Sequence, residues 1–320
     1  MSKTIHFFFL LVLFLPVVSF SQKNIERYYD HNWQETIAAH ARFYSISLNT
    51  DSGWYKRDFY INLKKLQMVG LYEDKENKIR NGTFYWVYPN NKFQTIGKYV
   101  HNKKEGVWLD YYSDGSMKDS MNYQDGHQIG ISLSWYGNGA GEDSMNVEEN
   151  GNGVYVSWFD NGQPSSAGRY TAFTSRHGKW QYFHKNGKLS AIELYDHDTL
   201  KSKQYFDETG NYLPDTTSHD RNAEFPGGDK AWSKYLSKEL YFPSNLELSN
   251  SDFAVVVISG IINEEGKVIE EEVTVPFQTR FDEIALDAVK KSPNWLAAIE
   301  HNRKVRYRFR QAVSFSQSFR

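Results

Sequence analysis

The sequence predicts a mainly β protein, an array of antiparallel β-hairpins followed by a small α+β domain. The first observation behind this is a pattern that recurs seven times between Gly53 and Gly210. Its copies open at Gly53, Gly82, Gly106, Gly130, Gly153, Gly178 and, in degenerate form, Lys201. Nine residues on from each stands Asn62, Asn91, Gly115, Gly139, Gly162, Gly187 or Gly210. Gly and Asn are the residues that best tolerate a left-handed backbone. Asp or Asn precedes four of them (Asp114-Gly115, Asn138-Gly139, Asn161-Gly162, Asn186-Gly187), and such pairs favour type I′ turns with positive φ at both central residues. Aromatics fill the interval, as in Trp86 and Tyr88, Trp108 with Tyr111-Tyr112, Trp135-Tyr136, and Trp180 with Tyr182-Phe183. Two strands and a turn repeating every 23 to 29 residues make a hairpin array. The second observation is the change of pattern after residue 222, where two helical periods alternate with three apolar runs.

At the N-terminus, Lys3 precedes an apolar run from Phe7 to Val18 and then Ser19-Phe20-Ser21-Gln22. A basic start, a short apolar core and small residues before the cut describe a signal peptide over 1–21, with cleavage before Gln22. The competing reading is a retained inner-membrane anchor facing the periplasm. A span needs roughly 20 apolar residues, whereas this run is shorter and holds Pro16. No cysteine follows it, so lipid attachment is not expected. Residues 22–52 place Ile25, Tyr28, Trp33, Ile37, Ala41 and Tyr44 at roughly helical spacing, which predicts a helical cap over the first end of the array.

The array is expected over 53–213. After each turn comes a second strand, marked by Gly70-Leu71-Tyr72, Gly97-Lys98-Tyr99 and Gly168-Arg169-Tyr170 and alternating with period two. These units resemble the MORN-variant repeats of bacterial proteins, with the core Gly106-x-Trp108-x-x-Tyr111-Tyr112-x-Asp114-Gly115. The resemblance implies an architecture and almost nothing about activity.

Residues 214–222 are polar and aperiodic and read as a linker. Beyond them, Trp232, Tyr235, Leu236 and Leu240 form one face of a helix over 229–240. Phe253–Ile262 is an apolar strand, the turn Asn263–Gly266 reverses it, and 267–275 returns. A second helix is predicted over 279–291, with Thr279 as N-cap and Ser292-Pro293 as its stop. Val305–Phe315 is the last strand of a three-stranded antiparallel sheet.

Within 223–320, several motifs resemble the TonB C-terminal domain of Bacteroidetes-type proteins. They are Phe225-Pro226-Gly227-Gly228, Tyr235-Leu236, Phe281–Leu286, Val289–Trp295 and Val305–Phe309. Ala254, Gly260 and Ala297 depart from the family's pattern, and Phe242 splits its Tyr-Pro pair. The resemblance implies a module that docks a peptide of an outer-membrane TonB-dependent receptor as an added strand. It places docking on the last strand, at Lys304, Val305, Arg306, Tyr307, Arg308, Phe309 and Arg310. Edge addition draws affinity from unpaired backbone groups and selectivity from alternate side chains. The sequence puts Lys304, Arg306, Arg308 and Arg310 on one face of that strand, where charge guards an edge against indiscriminate pairing. Alternatively, this face pairs with Glu270 and Glu272 on a neighbouring strand.

The expected function is therefore a non-enzymatic periplasmic protein-binding module. A membrane-anchored TonB-type energy transducer is the alternative, needing a retained anchor and a stiff tether. A hydrolase with a pocket in the array is the remaining one. A net charge of −2 argues against nucleic-acid partners. No nucleophile elbow, P-loop or His-Glu-x-x-His pair is present, so neither catalytic residues nor a cofactor is expected. Gly137-x-Gly139-x-Gly141 falls on a predicted turn and opens no helix. His197, between Asp196 and Asp198, has the chemistry of a metal ligand but reads as a solvated loop, as does the pair Glu264-Glu265. No metal is expected.

Overall fold

The computed structural model of the protein describes residues 24–248 and 253–317. The expected signal peptide lies outside them. Seventeen strands make one antiparallel sheet. They are β1 (Ile25–Tyr29), β2 (Phe43–Thr50), β3 (Gly53–Tyr60), β4 (Lys65–Tyr72), β5 (Gly82–Val87), β6 (Phe93–Val100), β7 (Lys103–Tyr111), β8 (Met117–Gln124) and β9 (His127–Gln128). They continue as β10 (Gly130–Trp135), β11 (Gly141–Val147), β12 (Gly153–Trp158), β13 (Pro164–Thr171), β14 (Ser175–Phe183), β15 (Leu189–Asp196), β16 (Thr199–Phe206) and β17 (Tyr212–Leu213). Each pairs with its sequence neighbour, and β9 and β10 lie end to end against β8.

The turns carrying the repeated Gly differ from expectation. Gly115, Gly139, Gly162 and Gly187 have positive φ, but the Asp or Asn before each does not. Tyr112, for example, bonds Ser116 across the loop, and Gly115 N donates to Tyr112 O at 2.8 Å. This is a three-residue loop, a type I turn closed by a left-handed glycine, rather than type I′. The Asn side chain explains the choice. Asn138, Asn161 and Asn186 each accept from the backbone N–H two residues on, then donate to a carbonyl of the next turn at 2.8–3.2 Å. In the first copy the left-handed residue is Lys64 instead of Asn62. Two-residue turns with both residues left-handed occur at the opposite end of the array, at His101-Asn102, Asp125-Gly126 and His197-Asp198.

Tyrosines opening the turns join neighbouring repeats. The hydroxyls of Tyr60, Tyr88, Tyr112 and Tyr136 donate to Val87, Tyr111, Trp135 and Trp158 carbonyls at 2.7–3.1 Å. Inside the array, Phe84, Trp108 and Trp180 lie flat on Gly70, Gly97 and Gly168, so the Gly-x-Tyr strands have glycine where a ring must rest. Two aromatic clusters result, one around Phe84 and Trp108 and one around Trp180 and Tyr182.

The expected helical cap over 22–52 is not formed by its described residues, 24–52. β1 and β2 extend the sheet, and the intervening segment holds one 3-10 turn at Ala38–His40. Phe43, Ser45 and Ser47 are buried in alternation, the period of a strand. Short apolar runs fit both periods, and pairing with β3 decides between them.

The C-terminal part contains α1 (Gly228–Glu239), β18 (Phe253–Ile262), β19 (Val268–Val275), α2 (Thr279–Lys290), β20 (Ala298–Glu300), β21 (Arg303–Val305) and β22 (Tyr307–Ser316). Its antiparallel sheet has the order β19-β18-β22, with β20 and β21 as a separate hairpin. Thr279 is not the N-cap of α2. Gln278 holds that position without a side-chain bond, and Asp282 instead reaches back to accept from Phe277 N at 2.8 Å.

One face of this sheet, with Ala254, Val256, Ile258, Val313 and Phe315, is covered by the helices through Trp232, Leu236, Phe281, Ile284 and Val289. The other face lies on the turn end of the array, where Val255, Val257 and Val275 meet Phe43 and Tyr60. Alternation along β18 puts one apolar set on each side, which is why this strand reads as a continuous apolar run. Among the described residues no helix is long and apolar enough to cross a membrane.

Candidate binding edge and the seam that positions it

β22 pairs with β18 over ten consecutive residue pairs, from Phe253↔Ser316 to Ile262↔Tyr307. Among the described residues, no strand pairs with its other edge. The remaining edge strand, β19, is broken by two register shifts and by Glu270 in the left-handed region at φ 52. Such irregularities twist an edge away from partners, whereas a straight strand offers a continuous template. Arg308, Arg310, Ala312 and Ser314 are exposed along β22, while Val313 and Phe315 are buried under the helices.

The predicted docking residues separate into two groups. Tyr307, Arg308, Phe309 and Arg310 lie on β22. Lys304 and Val305 belong to β21, where their backbones pair with Ile299 and Ala298 of β20, so the free edge does not include them. Arg306 sits in the break between β21 and β22. It ion-pairs with Glu270 at 2.5 Å and lies over the Tyr136 ring, 4.6 Å from its centroid. The expected contact with Glu270 therefore occurs, but β18 separates β22 from β19 and Arg306 is the arginine that reaches it.

What holds this edge is a seam that sequence reasoning missed. Six hairpins of the array carry the same irregularity, one extra residue near the start of the returning strand, at Gln67, Gln94, Lys118, Glu142, Ser165 and Ser190. A bulge turns its extra side chain out of the alternation and re-aims it. Several of these meet the C-terminal part. Arg303 donates to Ser165 O at 2.8 Å, Ser165 Oγ at 2.6 Å and Phe183 O at 3.2 Å. Its guanidinium also lies over Phe159 and Tyr182. Ser190 Oγ donates to His301 O at 3.3 Å. His301 stacks on Tyr182 at 3.7 Å between centroids, and its Nδ1 lies 2.9 Å from Glu193. Burial pulls the Glu193 carboxyl upward, but hydrogen bonds from His301 and Tyr195 hold it below the ordinary range. The signal for these bulges was present in sequence as a polar residue at one repeat phase, but nothing marked it as pointing off the strand.

Glu264 corrects another expectation. It is buried, not solvated, and with Glu265 it receives Lys185 at 3.0 and 3.3 Å, while Lys185 also reaches Asp160 at 3.1 Å. A turn of the small sheet is thereby fastened to two turns of the array.

Along the array, direct cross-strand partners put Asp110, Asp119 and Asp143 in one row. Glu142 and Asp143 then line a cavity of about 190 Å³ with Glu264, Glu300, Arg303 and Arg306. That is smaller than the roughly 300–1,000 Å³ of small-molecule pockets. Burial pushes the Glu142 carboxyl up to about 7, Arg306 opposes this, and Asp143, Asp119 and Glu270 add to it. Burial also raises Asp119, Asp143 and Glu272.

A carboxyl that binds its proton more tightly when folded stabilises the fold below its unfolded value near 4.5 and loses that contribution as pH rises through about 7. We expect the protein to be less stable at pH 8 than at pH 5, with Glu142 supplying on the order of 1–3 kcal/mol of the difference. Urea unfolding of wild type and Glu142→Gln at both pH values checks this. The glutamine variant should show the smaller drop, and an unchanged drop would remove Glu142 from the account.

No protein-family model matches this chain, and no curated protein matches it.

Proposed function

We propose that the chain is a non-enzymatic periplasmic protein-binding module. In this reading the hairpin array is a rigid scaffold, and the TonB-C-terminal-like part docks a partner peptide by strand addition. The single observation that carries the proposal is the outer edge of β22, straight over ten residues and unpaired among the described residues. Docking is assigned to Tyr307–Ser316, with the exposed Arg308 and Arg310 favouring a partner strand with acidic side chains at alternate positions. By the resemblance, the partner is a periplasmic segment of an outer-membrane TonB-dependent receptor. A membrane-anchored energy transducer remains the alternative, decided by the fate of residues 1–21 in the cell.

The test is titration of the isotope-labelled mature chain with extended peptides taken from receptor periplasmic segments, followed through backbone amide signals. Binding should move β22 amides first and should weaken in Arg308→Glu/Arg310→Glu. Peptides that leave β22 amides unmoved, or that act only on the array, would refute the proposal.

A further inference from the structure

At the end of the array away from the C-terminal part, the fold brings together two histidines that lie twenty residues apart in sequence. His177 stands early on β14, and His197 occupies the two-residue turn between β15 and β16. Asp196 lies between them. Its Oδ1 is 2.7 Å from His197 Nδ1 and 3.8 Å from His177 Nδ1. The imidazole centroids are 5.0 Å apart, and ligand atoms of all three residues lie within 4.8 Å of one another. We infer that His177, Asp196 and His197 form a binding site for a divalent late first-row transition metal, with Zn²⁺ as the natural probe.

The geometry is a consequence of the turn. His197 and Asp198 are both left-handed, at φ 48 and 63, which lets the chain reverse in two residues and bring the His197 ring back beside β14. Asp198 does not compete for the site. Its Oδ1 accepts from Arg176 N at 2.9 Å and Arg176 Nε at 3.4 Å, so it holds the turn in place. Asp196 is the available carboxylate, with its Oδ1 facing both imidazoles. Its other oxygen faces Lys201 at 3.6 Å, an exposed pair of the kind that contributes little.

Two imidazoles and one carboxylate suit Zn²⁺, Ni²⁺ or Cu²⁺ and not the harder Mg²⁺ or Ca²⁺, which take oxygen ligands. With bonds of about 2.0–2.1 Å, tetrahedral ligands stand about 3.3 Å apart. The present spread is within 4.8 Å, and all three side chains are exposed. Three protein ligands leave a fourth position open to water or another ligand. Of the three residues, His177 also lines a cleft of about 560 Å³, with Arg169, Tyr170, Asn146 and Glu148.

The experiment is calorimetric titration of the untagged mature chain with ZnCl₂ and, separately, MgCl₂ in a non-chelating buffer. One Zn²⁺ per chain and no Mg²⁺ heat are expected. His177→Ala and His197→Ala should each weaken Zn²⁺ at least about tenfold, since removing a ligand exceeds the 10–100-fold loss seen for its outer supports. His101→Ala, at an exposed His–Glu pair on another turn, should leave binding unchanged. Zn²⁺ should also raise the unfolding temperature of the wild type but not of the double variant His177→Ala/His197→Ala. All substituted side chains are exposed, so folding is preserved and thermal unfolding without metal verifies it. Absence of Zn²⁺ binding, or equal binding by the double variant, overturns the inference.

Discussion

Arg303→Ala should separate the two sheets and destabilise the protein by about 3 kcal/mol or more. The guanidinium is buried, and three acceptors from two hairpins, Ser165 O, Ser165 Oγ and Phe183 O, depend on it. Alanine takes the Arg303 donor from all three and removes the plane that lies over Phe159 and Tyr182. Lysine keeps the charge but not the fork, so Arg303→Lys should fall between wild type and alanine. Denaturant unfolding gives the magnitude. Limited proteolysis gives the place, because the segment 214–222, already largely exposed and tethered through the Arg221–Ile299 bridge, should be cut faster once the seam is released and before either sheet unfolds. An alanine variant with wild-type midpoint and an equally resistant linker would show that other contacts hold the seam.

The second large effect lies inside the array. A Cβ added at Gly168 would sit 2.1 Å from the Trp180 ring. Trp180 is 2% exposed, its Nε1 donates to Arg169 O at 3.1 Å, and Tyr155, Tyr170 and Tyr182 pack around it. With no room for the ring to yield, Gly168→Ala should cost about 3 kcal/mol, at the upper end of overpacking effects. Gly106→Ala is the contrast. It meets nothing within 4 Å but has φ 67, so it should cost roughly 1–2 kcal/mol from the backbone alone. Trp180→Leu should recover part of the Gly168→Ala loss, a coupling above about 0.5 kcal/mol in a double-mutant cycle. Equal losses at Gly168 and Gly106, with additive behaviour toward Trp180, would mean that the ring does not rest on the glycine.

The repeat was legible because its markers are local. A left-handed residue every two strands, an aromatic at fixed phase and period-two alternation report a hairpin without knowledge of its neighbours. The strand Phe253–Ile262 and the span of α2 were legible for the same reason. Turn type was not, since Asn-Gly suits either loop and the choice falls to Asn side chains that bridge to the next turn. The predicted helical cap failed where β1 and β2 found a ready sheet edge at β3. The last strand was expected from Val305 but starts at Tyr307, because the β20–β21 hairpin takes the residues before it.

Composition and spacing alone determined that this chain builds hairpins, that it closes with a small helix-and-sheet unit, and where the last strand lies. Those properties follow from backbone preference and side-chain periodicity, which act over a few residues. Tertiary structure decided which edge stays open, which glutamate is buried, and that the bulged Ser165 and Ser190 meet Arg303 and His301. It also decided that His177 stands beside His197. Each of these depends on residues far apart in sequence meeting in a register that pairing across the sheet sets, and no local pattern carries that information.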